Sequence, residues 1–163
     1  MRIGQGVDVH AFSDDPGRPL VLGGVEVPEG RGLAGHSDAD ALAHALADAL
    51  LGAAGLGDLG RHFPDTDPAW AGADSMALLA EVAAMVGREG LEVANADCTV
   101  VAEAPRLAPH TSEMAARLSA AVGGPVSVKA TGAEGLGTIG RGEGVACLAV
   151  ALLVARGPGP AQP

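Results

Sequence analysis

The sequence predicts an α+β fold, a small mixed sheet with its helices on one face. Several short segments alternate apolar and polar residues, others place apolar residues at helical spacing, and Gly and Pro clusters separate the two kinds. At 163 residues a single domain is expected over residues 1–156, followed by a flexible tail over 157–163. Residues 2–10 alternate as a strand. Residues 19–28 read as a hairpin turning at Gly23-Gly24. From residue 37 to about 54, Ala41, Leu42, Ala45, Leu46, Ala49 and Leu50 mark the apolar face of a helix, with Ser37 or Asp38 as its cap. Residues 52–67 are rich in Gly, Pro and Asp, which a core alone does not require. A second helix is expected over 74–86, ended by Gly87 and Gly90. A strand over 93–101, a helix over 109–122, a short strand over 126–130 and a glycine-rich loop over 131–144 follow. Residues 145–155 form an uninterrupted apolar run. We read it as a buried strand that completes the sheet, a helix being the alternative. No internal repeat is present.

Composition narrows the function classes. With 33 Ala and 25 Gly against 2 Phe and 1 Trp, the core is aliphatic and made of small residues. Such a core gains stability by burying faces between subunits, which fits an oligomer. Net charge is −10 and Lys129 is the only lysine. Neither a nucleic acid nor an anionic membrane surface finds the clustered cations it needs. If the ligand is anionic, metal ions or backbone N–H groups must supply the positive potential. No basic, then apolar, leader and no apolar run long enough to span a membrane is present, so a soluble cytoplasmic chain is expected. Cys98 and Cys147 lie in apolar runs and read as two buried free thiols, a disulfide being the alternative.

Ten of the eleven Asp and four of the five His fall in the first 75 residues. Asp8 and His10 are two apart on a strand and share a face. His36, Asp40, His44 and Asp48 are four apart and form one stripe on the first helix. Taken singly, each is read as well by a solvated helix face or a strand end. Taken together, two imidazoles and a carboxylate on neighbouring rigid elements suit a zinc site with three protein ligands and an open fourth position. Asp40 or Asp48 is then the candidate to orient His44 from behind.

Four segments carry a resemblance. They are Gly-Val-Asp-Val-His-Ala-Phe at 6–12, His-Ser-Asp-Ala-Asp-Ala-Leu-Ala-His-Ala-Leu at 36–46, Gly-Asp-Leu-Gly-Arg-His-Phe-Pro-Asp-Thr-Asp-Pro at 57–68, and Gly-Arg-Gly-Glu-Gly at 140–144. In that order they resemble the 2-C-methyl-D-erythritol 2,4-cyclodiphosphate synthases of the non-mevalonate isoprenoid pathway, over nearly the whole chain. The resemblance implies a homotrimer whose sheets face the threefold axis, with active sites between subunits. It implies closure of a cyclic diphosphate from a cytidine-diphosphate substrate with release of CMP. Zinc is expected on Asp8, His10 and His44, and a magnesium or manganese ion bridging the diphosphate on Glu134. His36 and Ser37 are expected at the erythritol phosphate, His36 stabilising the transition state. Asp58, Leu59, Gly60, Phe63, Pro64, Asp65, Thr66 and Asp67 correspond to the methylerythritol pocket. Ala102, Glu103, Ala104, Pro105, Arg106, Leu107 and Ala108, with Thr131, Gly132, Ala133 and Glu134, correspond to the cytidine and diphosphate pocket. Arg141 and Glu143 correspond to a pair near the axis, read either as an anion-binding ring or, preferably, as ion pairs holding the trimer.

The chain departs from the family pattern at two positions. Gly132 stands where the family carries a second threonine that donates a transition-state hydrogen bond, so the N–H of Gly132 or the hydroxyl of Thr131 is expected to take over. Thr138 stands where an aromatic is common beside the axial channel, which disfavours a lipid diphosphate there. A zinc-dependent nucleotide phosphohydrolase and a catalytically weak, ligand-binding trimer are the alternative functions.

Overall fold

The computed structural model describes residues 1–157; the rest of the expected tail lies outside the described residues. Four strands form one mixed sheet in the order β1-β6-β4-β5: β1 (Arg2–Ala11), β4 (Leu91–Val101), β5 (Val126–Thr131) and β6 (Gly144–Ala155). β6 runs antiparallel to both β1 and β4, while β4 and β5 are parallel and joined through α4 (Thr111–Val122). The apolar run at the C-terminal end is therefore a strand. It pairs with β1 on one side and β4 on the other; one of its faces is buried under the helices, while Leu148 and Val150 on the other are exposed.

The hairpin is present but minimal: β2 (Val21–Leu22) pairs with β3 (Val25–Glu26). Its turn residues, Gly23 and Gly24, have φ of +57° and +72°, a conformation that favours glycine. α3 (Ser75–Arg88) begins behind the expected cap Asp74, which accepts from Met76 N. The loop over 131–144 contains one helical turn, α5 (Gly137–Gly140). Cys98 and Cys147 are buried free thiols, and burial pushes the Cys98 thiol up to about 12.

The first long helix departs from expectation. α1 (Ala41–Ala54) starts four residues later than predicted, because Ala39 takes a left-handed φ of 59° and stops the helix from extending back to Ser37. Asp40, not Ser37 or Asp38, is the cap, accepting from Leu42 N and Ala43 N. The four-residue polar stripe therefore dissolves: His36 lies off the helix and Asp40 is fully buried. α1 is buried almost all round, and only His44, Asp48 and Gly52 interrupt that burial, on one line.

Helices cover one face of the sheet. The other exposes Ile3, Val7, Val9, Leu148 and Val150, an apolar patch on β1 and β6 interrupted by Gln5. Among the described residues no helix is long and apolar enough to cross a membrane.

Candidate active site

Two glycines place the site. Gly4 and Gly6 share the helix-facing side of β1 with Asp8 and His10. A Cβ on Gly4 would stand 2.0 Å from the Ala49 carbonyl oxygen, and one on Gly6 would stand 1.9 Å from that of Ala45. The α1 backbone therefore lies directly on the strand. That contact brings His44, one residue before Ala45, against Asp8.

Asp8 Oδ2 is 2.9 Å from His10 Nε2 and 3.1 Å from His44 Nδ1. One ligand atom from each of the three residues lies within 4.8 Å of the others. His10 Nδ1 is 2.6 Å from the Ala34 carbonyl oxygen; a carbonyl only accepts, so Nδ1 holds a hydrogen, and Nε2 is the nitrogen that faces Asp8 and is available to a metal. Burial opposes ionisation of Asp8, but hydrogen bonds and charge from His10 and His44 outweigh it and hold the carboxyl well below its usual range. The hydrogen bond to Asp8 raises His10 against the effect of burial. One carboxylate and two imidazoles converging in this way are a donor set for a zinc-type ion, with a further coordination position left to substrate or water.

The centre opens into a cavity of about 460 Å³ that gathers His36, Ser37, Leu59, Gly60, Phe63 and Asp65 beside the three candidate ligands. Asp58 and Asp67 do not line it. Asp58 caps α2 (Leu59–His62) by accepting from Arg61 N, and Asp67 caps a 3₁₀ turn (Pro68–Trp70) by accepting from Ala69 N. Pro64 and Thr66 share that loop without lining the cavity. Sequence reasoning missed Trp70, which lines the cavity and meets Phe63 edge-on at 5.0 Å between centroids. A lone tryptophan in a loop rich in Gly, Pro and Asp was the available signal.

The expectation that Asp40 or Asp48 orients His44 is corrected. Asp40 spends its carboxylate on Gly23 N (2.8 Å), Gly24 N (2.6 Å), Leu42 N and Ala43 N, docking the hairpin onto α1. Asp48 accepts from Leu59 N at 2.7 Å. The far side of the His44 ring meets Ser75 instead, Nε2 to Oγ at 2.8 Å.

A second, separate cavity of about 260 Å³ is lined by Ala102, Glu103, Pro105, Arg106, Leu107, Ala108, Thr131 and Gly132, with Ala130. Ala104, in that same segment, does not line it. Glu103 accepts from Ala133 N at 3.1 Å and so ties the two segments together. Glu134, at φ 53°, follows Ala133 and lies apart from the three candidate ligands within one chain. A Cβ on Gly132 would meet Glu103 and Glu134 only at 3.7–3.8 Å, an ordinary contact. Arg141 pairs with Glu143 within one chain, Nε to Oε1 at 2.6 Å; Thr138 and Arg141 line neither of these cavities.

The profile of the YgbB family matches residues 1–154. The chain belongs to the YgbB family. Among its relatives, the 2-C-methyl-D-erythritol 2,4-cyclodiphosphate synthase of Symbiobacterium thermophilum is 57% identical over 159 residues, 96% of this chain and 100% of that one. The bifunctional enzyme IspD/IspF of Anaeromyxobacter sp. (strain Fw109-5) is 60% identical over 155 residues, 93% of this chain. The chain spans only 39% of the length of that bifunctional relative. Two solved structures share the fold. Bifunctional IspDF from Campylobacter jejuni aligns with a TM-score of 0.89 at 43% identity, covering 94% of this chain and 42% of that one. A 2C-methyl-D-erythritol-2,4-cyclodiphosphate synthase described as the CDP-bound form aligns at 0.84 and 39% identity, covering 94% and 100%. The α+β expectation thus holds for this YgbB-family chain.

Proposed function

We propose that the protein cyclises 4-diphosphocytidyl-2-C-methyl-D-erythritol 2-phosphate to 2-C-methyl-D-erythritol 2,4-cyclodiphosphate and releases CMP, a phosphorus–oxygen lyase reaction of isoprenoid synthesis. The observation that carries this is the convergence of Asp8, His10 and His44 at the edge of the larger cavity, in a YgbB-family chain whose relatives bear that synthase name. The CDP-bound relative supports a cytidine diphosphate ligand.

In the reaction an oxygen of the substrate's 2-phosphate attacks the β-phosphorus. The bond from that phosphorus to the oxygen bridging the α-phosphate breaks, and CMP leaves with the bridging oxygen. The attacking phosphate is already anionic near neutral pH, so the protein need supply no nucleophile, only position and charge neutralisation. Asp8, His10 and His44 would hold zinc, and Glu134 would hold a magnesium or manganese ion. Bound there, these ions would supply Lewis-acid polarisation of the diphosphate, which would answer the chain's own charge of −10. His36 and Ser37 hold the 2-phosphate at the cavity rim. Asp65, with the backbone of Leu59 and Gly60, takes the erythritol hydroxyls, and Phe63 shields them from water. Residues 102–108 receive the cytidine, and Thr131 with the Gly132 N–H donates to the phosphoryl group in flight.

Two clusters in separate cavities of one chain meet across a subunit boundary in this account. The exposed patch Ile3, Val7, Val9, Leu148 and Val150 supports a homotrimer closed around its sheets. The protein works in the cytoplasm. Product analysis tests the proposal: CMP released one-for-one with a cyclic diphosphate supports it, whereas inorganic phosphate or an opened monophosphate identifies a hydrolase and overturns it.

A further inference from the structure

We propose that Ser75 and Asp38 are positioning residues for the metal centre, holding a hydrogen on His44 Nε2 so that Nδ1 is the nitrogen left to bind a metal beside Asp8 and His10. The assignment follows from counting hydrogens. Ser75 Oγ carries a single hydrogen and touches Asp38 Oδ1, and a carboxylate accepts without donating. The Ser75 hydrogen is therefore committed to Asp38. Toward His44 Nε2, 2.8 Å away on its other side, the same oxygen can only accept. Nε2 then holds a ring hydrogen, and Nδ1, which faces Asp8 Oδ2 at 3.1 Å, is the nitrogen a metal would take in place of that contact.

The surroundings keep this chain of bonds in place. Ser75 is 1% exposed, so solvent does not compete for its hydroxyl. Asp38 Oδ2 also accepts from Ser75 N at 3.2 Å. Asp38 is fastened through its own backbone, N to the Ala73 carbonyl at 3.1 Å, beside Gly72 N to the His36 carbonyl at 2.8 Å. Ser37 Oγ is a second oxygen near Nε2, but it is farther, at 3.3 Å; it accepts from Ala39 N at 3.0 Å and has Ser75 Oγ, at 3.4 Å, as an acceptor for its own hydrogen. Ser75 is the first residue of α3, and Asp74 already caps that helix. The Ser75 hydroxyl is thus free of a capping task. Its bonds run to Asp38 and His44, linking the start of α3 to the metal ligand on α1.

The inference rests on the proposed metal centre, so its test reads metal binding rather than turnover. Zinc affinity of the full chain is measured by competition with a chromophoric chelator for wild type, Ser75→Ala, Asp38→Ala, Asp38→Asn and Ser37→Ala. Ser75→Ala and Asp38→Ala are expected to weaken zinc by about 10–100-fold, the range for losing a partner of a ligating histidine. Asp38→Asn, whose amide oxygen still accepts from Ser75, is expected to lose less than Asp38→Ala. Ser37→Ala is expected to stay near wild type. Thermal unfolding of the zinc-free variants establishes that each is folded, and the half-buried Asp38 variants keep the test decisive should Ser75→Ala misfold. Wild-type zinc affinity in folded Ser75→Ala and Asp38→Ala overturns the inference, as does a loss confined to Ser37→Ala. A wild-type chain that fails to bind zinc overturns the metal centre itself, a result distinct from the other two.

Discussion

Replacing Gly6 with alanine tests how the centre is assembled. The added Cβ would sit 1.9 Å from the Ala45 carbonyl oxygen and 2.7 Å from Ala49 N. Both are backbone atoms of α1, so no flexible side chain can give way. Restoring an ordinary carbon–oxygen contact, ~3.3 Å, needs roughly 1.4 Å of separation, and α1 must move off β1. Overpacking of this kind costs about 1–3 kcal/mol, which lowers Tm by about 2–12 °C for a domain of this size. The same movement carries His44 away from Asp8, and a displacement of about 1 Å in a reacting constellation can cost ~100-fold in rate. Gly52 is the matched control: it lies on the exposed line of α1, and nothing stands within 4 Å of a Cβ built there. Gly52→Ala should leave zinc binding intact and stabilise by about 0.5–1 kcal/mol through helix propensity. The assay is zinc competition together with thermal unfolding on both variants. Wild-type zinc affinity and Tm in Gly6→Ala would refute the claim that the bare backbone at Gly6 sets the distance between the two ligating elements.

Further outcomes follow from other parts of the structure. Asp40→Ala leaves four backbone N–H groups without their acceptor, two on α1 and two on the hairpin turn; a loss of about 2–4 kcal/mol is expected by chemical denaturation, combining a lost cap with unsatisfied buried donors. Thr131 carries the only hydroxyl between residues 131 and 134, so Thr131→Ala should lower kcat by about 10²–10³-fold, while Thr131→Ser keeps most of it. Unchanged kcat in Thr131→Ala assigns that hydrogen bond to backbone. For the zinc-free protein, the lowered Asp8 contributes stability present above the usual carboxyl pKa of about 4 and lost as pH falls below it. The raised His10 contributes stability present below about pH 6.5 and lost as pH rises through its folded value. A pH series of thermal unfolding should therefore show this pair stabilising most between those limits, whereas zinc affinity rises across the upper one as the proton leaves His10.

The strands and helices were legible because their periods are clean: alternation gave β1 and β4, and the Ala/Leu recurrence gave α1. The start of α1 was not. A left-handed alanine at position 39 has no sequence signature, and Ser37 and Asp38 are both good caps. The candidate metal ligands were legible because Asp8 and His10 share a strand face and His44 falls on a helix. What orients His44 was hidden, since Ser75 is 31 residues away and reaches the ring only after α3 docks. Asp40 and Asp48 misled for a related reason. Spacing of four suggests a shared helix face, but Asp40 precedes the helix and turns inward to the hairpin. The Gly/Pro/Asp-rich segment over 52–67 was visible in composition alone, and Trp70 needed the fold to show that it faces the cavity.

The most direct test is phosphorus NMR of the purified protein with 4-diphosphocytidyl-2-C-methyl-D-erythritol 2-phosphate and magnesium, before and after zinc is stripped. A cyclic-diphosphate pair of resonances appearing with equimolar CMP, lost on stripping and recovered with added zinc, is the predicted result. Unchanged substrate in the zinc-loaded protein, or phosphate release without a cyclic product, would contradict the account.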